Sequence, residues 1–167
     1  MRNIRYGRVV AACLVLLCFC LPGCSSSLEG EVKDLKMAGL IQTDSGDTLG
    51  QVLSRYSYAK KVSFEYENTD MAEYQYVLIE LNLEKKEYLP IIKTSPSNVE
   101  AGVILKFAKT KTTSQRRLVP FPGSQVVLIV KGKDFSNNMN EVQQRQTFQQ
   151  LMNNEPITAP FNALYRQ

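Results

Sequence analysis

The sequence predicts an α+β fold: a short N-terminal helix packed on an antiparallel sheet of about four to five strands, followed by a C-terminal helix. Three observations carry this. Leu49, Val52, Leu53 and Tyr56 recur at i, i+3, i+4 and i+7, which is one helix face. Residues 61–67 and 74–83 alternate apolar and polar side chains as half-buried strands do. The most apolar run of the domain, Gln125 to Val130, reads as a central strand.

The elements follow in order. Residues 25–46 are polar and weakly patterned and read as a tether, with Ser45-Gly46-Asp47 as a turn. Asp47 or Thr48 caps the first helix, which is expected to run to about Tyr58. A helix this short is unstable alone and must dock on something. In the first strand Val62, Phe64 and Tyr66 point one way, and Ser63 and the charges point the other. Asn68-Thr69-Asp70 signals a turn into Tyr74–Leu83, so the two strands form a hairpin. Tyr88 to Ile92 is expected to continue the sheet at an edge, because Pro90 has no amide to donate. Ala101 to Ala108 is a further strand with Val103, Leu105 and Phe107 on one face. A basic loop, Lys109 to Arg117, and a rigid turn, Pro120-Phe121-Pro122-Gly123, lead to the apolar strand. Asn137 to Asn153 lacks breakers and reads as the C-terminal helix. Its apolar residues are poorly aligned: Phe148, Leu151 and Met152 cluster, while Met139 and Val142 lie roughly opposite. Pro156 and Pro160 end it, leaving Phe161, Leu164 and Tyr165 to pack or fray.

The N-terminus carries a different signal. Arg2, Arg5 and Arg8 precede an uncharged run, Val9 to Leu21, of 13 residues. That suits the ~7–15 apolar residues of a signal peptide and falls short of the roughly 20 that span a bilayer. Leu21-Pro22-Gly23-Cys24 follows, and it resembles the lipobox of bacterial lipoproteins. The resemblance implies a diacylglycerol on the Cys24 thiol, cleavage between Gly23 and Cys24, and acylation (palmitate) of the new amine. It also implies outer-membrane sorting, because Ser25 stands where an aspartate would retain such a protein at the inner membrane. The expected organisation is therefore a removed signal at 1–23, a lipidated Cys24 and flexible tether at 24–46, and one small domain at 47–167. Two or more acyl chains make such attachment durable.

Composition then narrows the chemistry. Three of the 20 basic residues and none of the 16 acidic ones lie in 1–23, leaving 17 against 16. So even a balance does not point to nucleic acid. Cys13, Cys18 and Cys20 would leave with the signal, and Cys24 would become a thioether. The domain then has neither disulfide nor free thiol and must stand on core packing. The chain contains no histidine. Ser-His-Asp and Cys-His catalysis are excluded, as are thiolate and imidazole zinc sites. No catalytic set, metal site or cofactor beyond the covalent lipid is expected.

Thr48-Leu49-Gly50-Gln51-Val52-Leu53, then Tyr56, then the strands through Phe64 and from Tyr74, is similar to small bacterial envelope modules of unknown function. Those begin with a Thr-Ile-Gly-like helix and continue into an antiparallel sheet. The likeness spans residues 48–83 and implies a fold without implying an activity.

Three side-chain groups remain. Lys106, Lys109, Lys111, Arg116 and Arg117 form a basic stretch, with Lys131 and Lys133 nearby if the strands pair. It reads as a solvated loop or as a contact for anionic headgroups, lipopolysaccharide phosphates or an acidic protein. Glu65, Glu67, Glu80, Glu84 and Glu87 gather in the first hairpin, where they discourage edge pairing or, alternatively, include a carboxylate pair acting on cell-wall glycan. Tyr56, Tyr58, Tyr66, Tyr74, Tyr76 and Tyr88 are enriched locally, chiefly as packing residues. The function expected is a non-enzymatic, outer-membrane-anchored periplasmic lipoprotein that binds another envelope protein or component. The alternatives are a cell-wall glycan or lipid-acting enzyme using carboxylates, and a small-ligand or lipid-binding module.

Overall fold

The computed structural model describes residues 27–112, 117–120 and 122–162. Gly23, Cys24 and Arg116 therefore lie outside the described residues, as do Leu164 and Tyr165. No described helix is long and apolar enough to cross a membrane.

Helix formation near the N-terminus is driven by caps. The Ser27 hydroxyl accepts from the Gly30 amide at 3.1 Å and opens α1 (Leu28–Lys33). Glu29 and Glu31 in its first turn and Lys33 in its last match the helix dipole. A single turn, α2 (Met37–Leu40), follows. Thr48 and Gln51 form a capping box that opens α3 (Leu49–Arg55), as the sequence predicts. It stops before Tyr58 because Tyr56 is already extended and leads into the sheet. A Cβ on Gly50 would lie 2.9 Å from the Lys33 Cβ and 3.0 Å from its carbonyl oxygen. Only glycine lets α1 and α3 touch there.

Of the tether expected over 24–46, residues 27–46 are corrected by this arrangement, and 24–26 lie outside the described residues. Val32 and Met37 are completely buried and Ile41 nearly so, all within the main core. Their spacing of five and four matches no single period, because a break separates two short helices.

Among the described residues, seven strands form one antiparallel sheet: β1 (Ala59–Asn68), β2 (Ala72–Leu81), β3 (Val99–Thr110), β4 (Leu118–Pro120), β5 (Gln125–Val130), β6 (Lys133–Asp134) and β7 (Asn137–Asn138). The order is β1-β2-β3-β5-β6, with β4 against β3 and β7 against β5. The mixed helix-and-sheet class is as expected, and the sheet is larger than four to five strands. The surplus is β4, β6 and β7, two or three residues each, too short for alternation to reveal. The strand at the middle is β3, flanked by β2 on one side and by β4 and β5 on the other. The apolar run at 125–130 is its neighbour and not the centre. Residues 88–92 form turns instead of an edge strand, with Ile91 donating to the Tyr88 carbonyl at 2.9 Å. The Tyr88 ring goes into the core.

The inner face of the sheet carries Val77, Ile79 and Leu81 of β2, Val103, Leu105 and Phe107 of β3, and Val126 and Leu128 of β5. Helix α4 (Glu141–Met152) opens with a capping box between Asn140 and Gln143 and packs here through Phe148 and Leu151. The Phe148 and Phe107 ring centres are 6.3 Å apart. Helix α4 begins later than Asn137 because Asn137 and Asn138 pair with β5. After it, α5 (Ala159–Asn162) seats Phe161 in the core.

Two buried tyrosines fasten this C-terminal segment. The Ile157 amide donates to the Tyr88 hydroxyl at 2.9 Å and to the Tyr56 hydroxyl at 3.2 Å. The Tyr56 hydroxyl donates to the Glu155 carbonyl at 3.0 Å. Burial pushes both phenols above their ordinary range.

Candidate functional site

Alternation sends a second set of side chains to the other side of the sheet. On β1, Glu67, Glu65, Ser63 and Lys61 lie opposite Tyr74, Tyr76, Leu78 and Glu80 of β2. Those lie opposite Ala108, Lys106, Ile104 and Gly102 of β3. Gln125 and Val127 of β5 complete the rows through Ile104 and Gly102, and Ile129 faces Glu100. Leu78, Ile104, Val127 and Ile129 do not join the main core, whose helical members pack on the inner face. Among the described residues, no helix covers this outer face.

The face has two ends of different chemistry. At the polar end the Lys106 ammonium lies over two aromatic rings, 4.3 Å from the centre of Tyr74 and 5.2 Å from that of Tyr76. The Tyr76 hydroxyl donates to the Glu67 carboxylate. Burial, reinforced by that carboxylate, pushes the Tyr76 phenol up to about 12. At the apolar end Leu78, Ile104 and Val127 are half-buried. A Cβ on Gly102 would sit 2.8 Å from the Ile79 carbonyl oxygen, so glycine is required where β3 approaches β2. Gly102 lines an open recess of about 420 Å³ together with Leu78, Ile104 and Val127. Lys60 and Glu80 pair at 2.8 Å on the rim. Hydrogen bonding to Glu80, then its charge, raises the Lys60 amine.

The structure does not gather the predicted basic stretch on one surface. Lys106 projects on the outer face. Lys109, three residues on, projects on the inner side and donates to both Glu31 oxygens at 2.8 Å, tying α1 to the sheet. Lys111 donates to the Asn68 side chain and to the Thr69 carbonyl, across the β1–β2 turn. Arg117 is exposed beside β4, and Arg116 lies outside the described residues. Lys131 and Lys133 sit past the end of β5 that pairs with Val99, at the far end of β3 from Lys109.

The carboxylates are also placed. Glu65 and Glu67 stand side by side on one strand of an open face. Glu80 is opposite Lys61, four residues along from Glu65, about 13 Å at ~3.3 Å per residue. They do not face each other across a cleft as a glycosidase pair does. Among the described residues, no three acidic side chains converge as a metal site.

The tyrosines divide between roles. Tyr56 and Tyr88 pack and hydrogen-bond inside, whereas Tyr74 and Tyr76 belong to the outer face. Gly102, Ile104 and Val127 were not singled out by sequence. Their signal was that β3 and β5 are apolar on both alternating sets, unlike β1. Comparison with known protein families gives no matching family model, and no curated protein and no solved structure matches the chain.

Proposed function

We propose that the protein is a non-enzymatic, lipid-anchored component of the cell envelope whose outer sheet face binds another envelope protein. Cys24 is the proposed attachment point, at the periplasmic side of an outer membrane. The observation that carries the binding reading is the apolar end of the outer face. Leu78, Ile104 and Val127 surround a recess with no described side chain filling it. A pocket bordered by apolar groups suits the buried anchor of a protein partner. The charged and aromatic end, built on Lys106, Tyr74, Tyr76 and Glu67, supplies orientation and selectivity. Acyl chains provide membrane attachment without help from the folded part, so this face is available for a protein.

The test is site-specific photo-crosslinking in cells. A photoreactive residue at Ile104 or Val127 should give a discrete adduct, and one at the exposed Val142 on α4 should not. Leu78→Lys should remove the adduct while the protein stays folded. Equal labelling from all three positions, or none, would overturn the binding face. Acyl labelling tests the anchor separately: label retained by Cys24→Ser would overturn attachment at that residue.

A further inference from the structure

We infer that β1 is a pairing edge for a second copy of this chain, joined antiparallel about a two-fold axis at Phe64. This goes beyond the outer-face reading and does not depend on it. Strand β1 ends the sheet order, and on its far side no described strand pairs with it. It is ten residues long, whereas exposed edges are usually kept short or blocked. Its charges are ordered: Lys60 and Lys61 near the start, Glu65 and Glu67 near the end. Such a strand is complementary to itself when reversed.

Register decides which pairing is used. With Phe64 opposite its own copy, Lys61 faces Glu67, Val62 faces Tyr66 and Ser63 faces Glu65, twice over. Pleat is preserved, so both helical layers stay on one side of the joined sheet. An axis at Lys61 or at Glu65 sets that residue against its own charge. Parallel pairing brings like charges alongside like. An axis at Ser63 sets Lys61 against Glu65 but engages Lys60, where the β1–β2 register already shifts. The Phe64 axis uses only the regular run from 61 to 67. It also covers Tyr66, which is 53% exposed, and Phe64, whose ring lies 4.7 Å beneath the Lys33 ammonium. The edge charges thus reject several pairings, and the register shift at Lys60 selects the Phe64 axis among those they admit.

The experiment is co-purification of two differently tagged full-length copies from the same cells. Wild-type copies should capture one another. Lys61→Glu on both copies, or Glu67→Lys on both, should reduce capture to background, because like charges then face each other. One copy of each variant should restore it, since the glutamate introduced at 61 then meets the lysine introduced at 67 on one side of the axis, and native Glu67 meets native Lys61 on the other. Both positions are exposed, and circular dichroism of each variant checks that the fold is kept. Absence of wild-type capture, capture that survives either matched pair, or no recovery in the mixed pair would each overturn the inference.

Discussion

Replacing Tyr56 and Tyr88 by phenylalanine, singly and together, should expose how the C-terminal segment is held. The buried Ile157 amide has two acceptors, at 2.9 Å on Tyr88 and at 3.2 Å on Tyr56. Tyr88→Phe removes the shorter and leaves the longer, so it should cost ~1 kcal/mol, the net worth of one hydrogen bond. Tyr56→Phe removes the longer and also strips the donor from the Glu155 carbonyl, two bonds and so about 2 kcal/mol. In the double variant the Ile157 amide has no partner, and Ile157 is fully buried. An orphaned buried donor costs roughly 1–3 kcal/mol beyond the lost bonds. The double variant should therefore lose ~4–6 kcal/mol, exceeding the sum of the singles. Urea unfolding followed by far-ultraviolet circular dichroism suits a chain without tryptophan. Strictly additive losses would refute the shared-acceptor reasoning.

Burial raises the folded-state phenols of Tyr56 and Tyr88, so their stabilisation is full below the unfolded value of ~10 and declines as pH rises above it. Denaturation midpoints measured from pH 8 to 12 should fall in that upper range, and Tyr56→Phe should flatten the decline. Gly50→Ala should lower the melting temperature, because overpacking costs ~1–3 kcal/mol against the roughly 1 kcal/mol that alanine gains in a helix. Gly39→Ala, in α2 with open space around it, should raise the melting temperature. Lys109→Met should cost about 1 kcal/mol by breaking the pair with Glu31, and flotation with anionic vesicles should be unchanged.

The parts legible in the sequence are those specified locally. Thr48 with Gln51 marks the start of α3, and the alternation of 62, 64, 66 and of 77, 79, 81 marks the hairpin. What failed depends on distant partners. Val32, Met37 and Ile41 are core residues only because α3 and the sheet meet them, and their spacing hides this. The two-residue strands β6 and β7 exist through pairing with β5. Lys109 looked available because its partner, Glu31, is 78 residues away. Lys106 and Lys109 looked like neighbours until strand alternation separated them. The outer face was half visible: Tyr76, Leu78 and Glu80 were assigned a common side. The recess required knowing that Gly102 lies across from Glu80.

The burial of α1 changes the geometry of attachment. Leu28, the first helical residue, comes four residues after Cys24. At ~3.3–3.6 Å per residue, a fully extended chain reaches about 14 Å between them. That is little more than the width of one helix, about 10–12 Å. On the proposed anchoring at Cys24, the domain rides against the bilayer on a short leash and cannot cross the space beyond. Whatever engages it must come to the membrane surface.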